Sequence, residues 1–183
     1  MHGPVTPSPW ITRFATLVPP GGPVLDLACG AGRHTRYFLA RGHPVTALDR
    51  DIAGLADLAG QPGLEIVPAD LEDGSPWPLR DRRFAAVVVT NYLWRPLFPH
   101  ILEALDQGGV LLYATFARGN EAYGRPACPA FLLEPGELLD LARQGGLQVV
   151  AYEHGYVEHP RPAVRQRLCG IRADRPVPLG AEA

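Results

Sequence analysis

Residues 24–34 read Val24-Leu25-Asp26-Leu27-Ala28-Cys29-Gly30-Ala31-Gly32-Arg33-His34. Four strand-like residues end in a turn carrying two glycines. A helix-like run from about Arg33 to Arg41 follows and is closed by Gly42. Glycine lets the backbone turn sharply and come close to a ligand. In an open α/β sheet, ligands bind beyond the carboxyl ends of the strands, near the point where strand order reverses. A strand-to-helix turn that binds nothing can carry the same residues, so the rest of the chain must decide.

Working outward, Ser8 and Pro9 suit a helix start, and Trp10, Ile11, Phe14, Leu17 and Val18 recur at helical spacing. A helix is expected over about 8–18, stopped by Pro19-Pro20-Gly21-Gly22. Strands are expected at 45–48, ending at Asp49, and at 64–67, 84–90 and 110–116. Helices are expected at 52–59, between Leu97 and Leu105, and at 134–144. Phe84 to Val89 is an almost unbroken apolar run, as in a strand covered on both faces. Segments 147–156 and 164–171 read as two more strands. The connection between them is too short for a parallel crossover, so they should be antiparallel neighbours. The pattern predicts an α/β open sheet of about seven strands, mostly parallel with a C-terminal antiparallel strand and helices on both faces. The expected organisation is one domain over 1–183, with its core at about 23–173 and a loose tail from 174 to 183.

Composition narrows the function classes. The chain has 183 residues and a formal net charge of -2. That balance argues against a domain built to hold a phosphate backbone. All 17 basic residues are Arg. Cys29, Cys128 and Cys169 lie far apart with no CxxC pair, which fits neither a disulfide framework nor a zinc site. A cytoplasmic setting is expected. The N-terminal residues carry no signal-peptide pattern, and the longest apolar stretch is too short to span a bilayer, so no membrane partner is expected. The histidines have no HxH or HExxH spacing, and no metal is expected.

Asp49 closes the second strand, about 20 residues after the glycine turn, where a carboxylate can accept both hydroxyl hydrogens of a ribose. Asp51 is the better cap for the following helix, which leaves Asp49 for a ligand. Two ligand classes fit, a dinucleotide or S-adenosylmethionine. The dinucleotide pattern asks for Gly or Ala at position 35, and this chain has Thr35.

With Asp26 four residues before Gly30, the chain resembles the class I S-adenosylmethionine-dependent methyltransferases. Their first motif is Asp/Glu-x-Gly-x-Gly-x-Gly. Here it stands as Asp26-Leu27-Ala28-Cys29-Gly30-Ala31-Gly32, with Ala28 in place of the first glycine. The resemblance runs from about Trp10 to Arg172. It implies a Rossmann-like sheet and S-adenosylmethionine as cofactor. It further implies a cofactor site built from Asp26, Ala28, Cys29, Gly30 and Gly32, with Asp49 on the ribose and Arg50 beside it. Asp70 would meet the adenine amino group, the Leu71 N–H would face the ring, and Asn91 would lie at the methionine end. The Cys29-Gly30-Ala31-Gly32-Arg33 run is similar to that of the small tellurite-resistance-like methyltransferases.

The reaction implied is an in-line displacement at the methyl carbon, with a small-molecule acceptor. Tyr92 and Trp94 can form an apolar wall or meet a cation through their faces. Arg95 and Arg125 can grip an anion through paired hydrogen bonds. His34, Asn120, Tyr123 and His154 complete the candidate acceptor contacts. The 117–133 segment is longer than most loops, as binding loops and lids are. Within it Glu121 is the first candidate for a general base, and Tyr92 is its candidate catalytic companion. Packing and surface roles compete at each of these positions. A nucleic-acid or protein methyltransferase is an alternative, although Asn91-Tyr92-Leu93-Trp94 lacks the Asn-Pro-Pro-Tyr signature of amino-group methylators. A non-catalytic S-adenosylmethionine- or nucleoside-binding domain is another. The protein is expected to act as a monomer or homodimer.

Overall fold

The computed structural model describes residues 6–174, 176 and 177. Seven strands form one sheet: β1 (Val24–Leu27), β2 (Val45–Asp49), β3 (Leu64–Pro68), β4 (Phe84–Thr90), β5 (Leu105–Phe116), β6 (Gln148–Val157) and β7 (Ala163–Ile171). Their order is β3-β2-β1-β4-β5-β7-β6. The first five are parallel, and β7 inserts antiparallel between β5 and β6. This is the mostly parallel open sheet expected from the sequence. The chain steps outward from β1 to β3, then returns to lay β4 against the other side of β1. Strand order therefore reverses between β1 and β4, and a crevice opens at their carboxyl ends.

Alternation along the strands sends side chains to two apolar layers. One layer gathers Leu25, Leu27, Val87, Val89, Leu111 and Tyr113 under α3 (Phe98–Glu103) and α4 (Glu137–Gln144). The other gathers Val24, Val88, Val110 and Leu112 under α1 (Pro9–Phe14) and α2 (Arg33–Leu39). Both faces are covered, which is why β4 is buried along nearly its whole length.

The elements depart from expectation at their ends. The N-terminal helix is α-helical only to Phe14 and tightens to a 3-10 turn over Ala15–Leu17. Residues expected as a helix at 52–59 form a 3-10 segment, Ala53–Leu58. Gly54 within it lies so close to the glycine turn that a Cβ would come 2.8 Å from Ala31 Cα. The last helix begins at Glu137 because Pro135 cannot donate and Gly136 takes a φ of 78°. β5 starts at Leu105, earlier than expected, because the Gly108-Gly109 pair sits in a bulge opposite Phe84 and Ala86. Of the tail expected to be loose, Val177 donates its N–H to Gln148 Oε1; residues 175 and 178–183 lie outside the described residues.

Candidate functional site

A cleft of about 280 Å³ lies at the strand-order reversal. Its walls are Ala28 after β1, Asp49 and Arg50 at the end of β2, Ala69 to Glu72 after β3, and Thr90, Asn91 and Tyr92 at the end of β4. Seven of the residues named from sequence meet here: Ala28, Asp49, Arg50, Asp70, Leu71, Asn91 and Tyr92. Ala69, Glu72 and Thr90, to which the sequence reading gave no role of their own, line it too. Each adjoins a named residue at the end of a parallel strand, which was the signal available.

The glycine turn frames this cleft through backbone geometry. Ala28 has a φ of 53° and Asn91 of 57°, so both take left-handed conformations. Asn tolerates that region, whereas Ala stands there under strain. Gly32 has a φ of 74°, and a Cβ there would meet Leu55 Cδ2 at 2.2 Å. Asp49 accepts the Gly30 N–H at 2.8 Å and the Asp51 N–H at 3.0 Å. It is less free than the sequence reading had it. Each carboxylate oxygen still has a second lone pair. Asp70 accepts the Glu72 N–H at 2.9 Å and lies 4.0 Å from Arg50.

Asp26 is placed behind the turn. It is 1% exposed, and its Oδ2 accepts both the N–H and the hydroxyl of Thr35, at 2.8 and 2.7 Å. Burial is the main cause that raises its pKa to about 6. Asp26 braces the start of α2 against β1. Thr35, which departs from the dinucleotide pattern, is the partner of that carboxylate. Cys29 packs with Ala47 and Leu55, and burial pushes its thiol up. Both residues support the cleft from outside its walls.

Several acceptor-side candidates have other tasks. His34 is 1% exposed. Its Nε2 accepts the Ser8 N–H at 3.2 Å, so Nδ1 carries the proton and faces Thr90 Oγ1 at 3.4 Å. Burial, then the Arg33 charge, lowers its pKa to about 3. Arg95 is committed to a clamp. Nε and one terminal nitrogen bind Glu137 at 2.7 and 2.8 Å, and the terminal nitrogens also donate to Ala130 and Leu132 carbonyls. It holds the end of the long loop against α4 instead of gripping an anion. Asn120 is buried and bonds Pro126 and Val164 backbone groups.

Glu121 is exposed and caps its own turn by accepting the Gly119 N–H at 2.8 Å. Backbone hydrogen bonds hold its carboxyl below the usual range, so it is a poor base, and it lies outside the cleft walls. Tyr123 is exposed against Tyr156, with ring centroids 5.0 Å apart. Arg125 and His154 are exposed. Trp94 lines an adjoining surface cavity of about 530 Å³ with Trp77 and His100.

Tyr92 stays neutral. Burial, then the charge of Glu72 and a hydrogen bond to its carboxylate, raise the phenol above its ordinary range. The cleft therefore presents three carboxylates, one guanidinium and a neutral phenol over an apolar floor of Ala28, Ala69 and Leu71. Carboxylates at the ends of two adjacent strands suit the hydroxyl and amino donors of a nucleoside, and the acidic rim suits a ligand with cationic centres. Among the described residues no group of three His, Cys, Asp or Glu side chains is disposed to hold a metal, and no helix is long and apolar enough to cross a membrane.

A family model described as a methyltransferase domain matches residues 24–109, which span β1 to the first part of β5. Among solved structures, the chain superposes on TehB from Haemophilus influenzae with a TM-score of 0.71 and 17% identity. The match covers 89% of this chain and 61% of that one, so the chain spans about three fifths of TehB's length. The glycopeptide N-methyltransferase MtfA, solved with S-adenosyl-L-homocysteine, matches at a TM-score of 0.60 and 25% identity, over 87% of each chain. The 1,6-didemethyltoxoflavin-N1-methyltransferase of Burkholderia thailandensis, solved with 1,6-didemethyltoxoflavin and S-adenosylhomocysteine, matches at a TM-score of 0.65 and 22% identity. That match covers 90% of this chain and 76% of the other. A comparison with curated proteins found no match.

Proposed function

We propose that this chain is a class I S-adenosylmethionine-dependent methyltransferase, as the methyltransferase-domain match over residues 24–109 and the superposition on MtfA support, and that it transfers a methyl group to a small-molecule acceptor by in-line displacement. The observation that carries this reading is the pairing of Asp49 and Asp70 across one cleft at the reversal of strand order, with Asn91 and Tyr92 closing its other side. The reading takes the chain as one such domain, because one sheet holds all seven strands.

Asp49 holds the ribose hydroxyls, and its bonds to Gly30 and Asp51 fix the direction of its free lone pairs. Asp70 and the Leu71 N–H face the adenine. Asn91 and the backbone around Ala28 and Gly30 hold the amino-acid end. When bound, the cofactor supplies a cationic sulfonium methyl group whose departure needs no general acid. The work left to the chain is alignment and exclusion of water. Tyr92, half-buried and neutral, gives the methyl end an aromatic wall that favours a cation.

A small acceptor is supported by two structural relatives, a glycopeptide N-methyltransferase and a 1,6-didemethyltoxoflavin N1-methyltransferase. It is also supported by the net charge of -2, which disfavours a nucleic-acid backbone.

Calorimetric titration with S-adenosylmethionine and S-adenosylhomocysteine, with NAD as control, tests the reading. Micromolar binding of the first two and none of NAD is expected. Absence of binding by both would overturn it.

A further inference from the structure

Beside the acidic cleft, on its β5–β7 side, the surface reverses sign. Arg165 of β7 stands directly across from Phe116 at the end of β5. Its guanidinium stacks over the Phe116 ring at 4.1 Å, and Arg161 lies over the same ring at 5.8 Å. From there Arg165 reaches past β5 and donates to Asn91 Oδ1 at 2.8 Å. Asn91 is itself a wall of the cleft. Arg33, the first residue of α2 after the glycine turn, is near enough to repel Arg165 electrostatically.

None of these three arginines forms an ion pair among the described residues. The others nearby do: Arg13 and Arg167 share Glu153. Arg165 uses one of five donors on a neutral amide. Burial, then the charges of Arg167, Arg161 and Arg33, lower its pKa to about 10. A partly buried guanidinium among like charges, without a carboxylate, is a costly arrangement that an anion relieves. Its planar fork matches a carboxylate through two parallel bonds. Stacking on Phe116 fixes the plane of that fork.

We propose that Arg165, assisted by Arg33 and Arg161, binds a carboxylate on the methyl acceptor and so selects anionic acceptors over neutral ones. The inference rests on the methyltransferase reading and deepens it. Arg165 touches Asn91, so an acceptor gripped there lies against the end of the cleft assigned to the methyl donor. The anion-gripping role expected of Arg95 thus falls to a residue on another strand. Charge divides the site: three carboxylates against the single guanidinium of Arg50 face the cofactor, and Arg33, Arg161 and Arg165 face the acceptor.

The test uses the protein saturated with S-adenosylhomocysteine, titrated with benzoate, 4-hydroxybenzoate and 3-mercaptopropionate, each beside its primary amide. At least one carboxylate should bind about tenfold or more tightly than its amide. Arg165→Gln should abolish that preference, Arg165→Lys should keep part of it, and both should retain S-adenosylhomocysteine affinity within a few-fold. Thermal melts establish that the variants fold. Arg33→Gln, which leaves the Phe116 stack intact, should weaken carboxylate binding in the same direction. If no carboxylate outperforms its amide, or if Arg165→Gln keeps the preference, the proposal is overturned. If the wild-type protein does not bind S-adenosylhomocysteine, it is the methyltransferase reading that fails.

Discussion

Asp49 Oδ2 accepts the Gly30 N–H at 2.8 Å, joining the end of β2 to the glycine turn after β1 across 19 residues. One carboxylate thus sets the shape of the turn and presents its remaining lone pairs to the cleft. On the proposed reading, the turn and the ribose contact are one device. Asp49→Asn replaces one oxygen with a donor and cannot satisfy both backbone N–H groups. We expect S-adenosylhomocysteine affinity to fall more than tenfold, from loss of charge-assisted bonds worth about 1.5–3 kcal/mol. Calorimetry of the folded variant checks this, and unchanged affinity would remove Asp49 from the ribose site.

Arg95 illustrates the opposite outcome, a residue that looks functional in sequence and is committed to structure. Its guanidinium satisfies Glu137 and two carbonyls of the long loop at once. Removing it leaves the carbonyls of Ala130 and Leu132 without their donor and Glu137 with only the Glu134 N–H. Arg95→Met should destabilise the fold by about 2 kcal/mol, lowering Tm by roughly 4–8 °C at this chain length. S-adenosylhomocysteine affinity should be unaffected. A large loss of affinity with an unchanged Tm would return Arg95 to the binding site.

The parallel half of the site was legible because its chemistry is local. Asp49 ends β2, Asp70 lies two residues beyond β3 and Asn91 directly follows β4, so finding the strand finds the residue. Arg165 was not legible, because it meets Asn91 across 74 residues and through the antiparallel register of β7 on β5. The partners of Arg95 and Asn120 are likewise distant: Glu137 is 42 residues from Arg95, and Val164 is 44 from Asn120. The sequence shows a polar side chain in a long loop but not which carbonyl or carboxylate will occupy it. His34 was misread for the same reason. Its neighbours Ser8 and Thr90 come together only when α1 docks on the sheet.

Ala28 supplies a prediction about the motif's departure from glycine. It holds a φ of 53°, which costs an alanine about 1–2 kcal/mol relative to the right-handed region. Ala28→Gly relieves that strain, although glycine gives back part of the gain through unfolded-state entropy. A rise in Tm of a few degrees is expected, corresponding to less than about 1 kcal/mol net. S-adenosylhomocysteine affinity should be retained or improved, because the turn keeps its shape. A lower Tm in Ala28→Gly would mean that the methyl group's packing outweighs the strain.

His34 and Asp26 make opposed contributions to the pH dependence of stability. His34 has an ordinary pKa near 6.5 and a folded value of about 3. The unfolded chain therefore binds the extra proton between those values, and on this account stability rises as pH climbs from about 3 to 6.5. Asp26 goes from 3.8 to about 6 on folding. There the folded chain holds the proton, so its contribution falls as pH climbs from about 4 to 6. His34→Gln removes the rising contribution and leaves the falling one. The variant should therefore lose more stability relative to wild type at pH 7 than at pH 4, as read from urea midpoints across that range. Asp26→Asn should show the mirror image, gaining relative to wild type as pH rises. A His34→Gln deficit that stays constant with pH would mean that His34 titrates alike in folded and unfolded chains. The Ser8 N–H bond to Nε2 would then have to open near neutral pH, because a protonated imidazole has no acceptor to offer it.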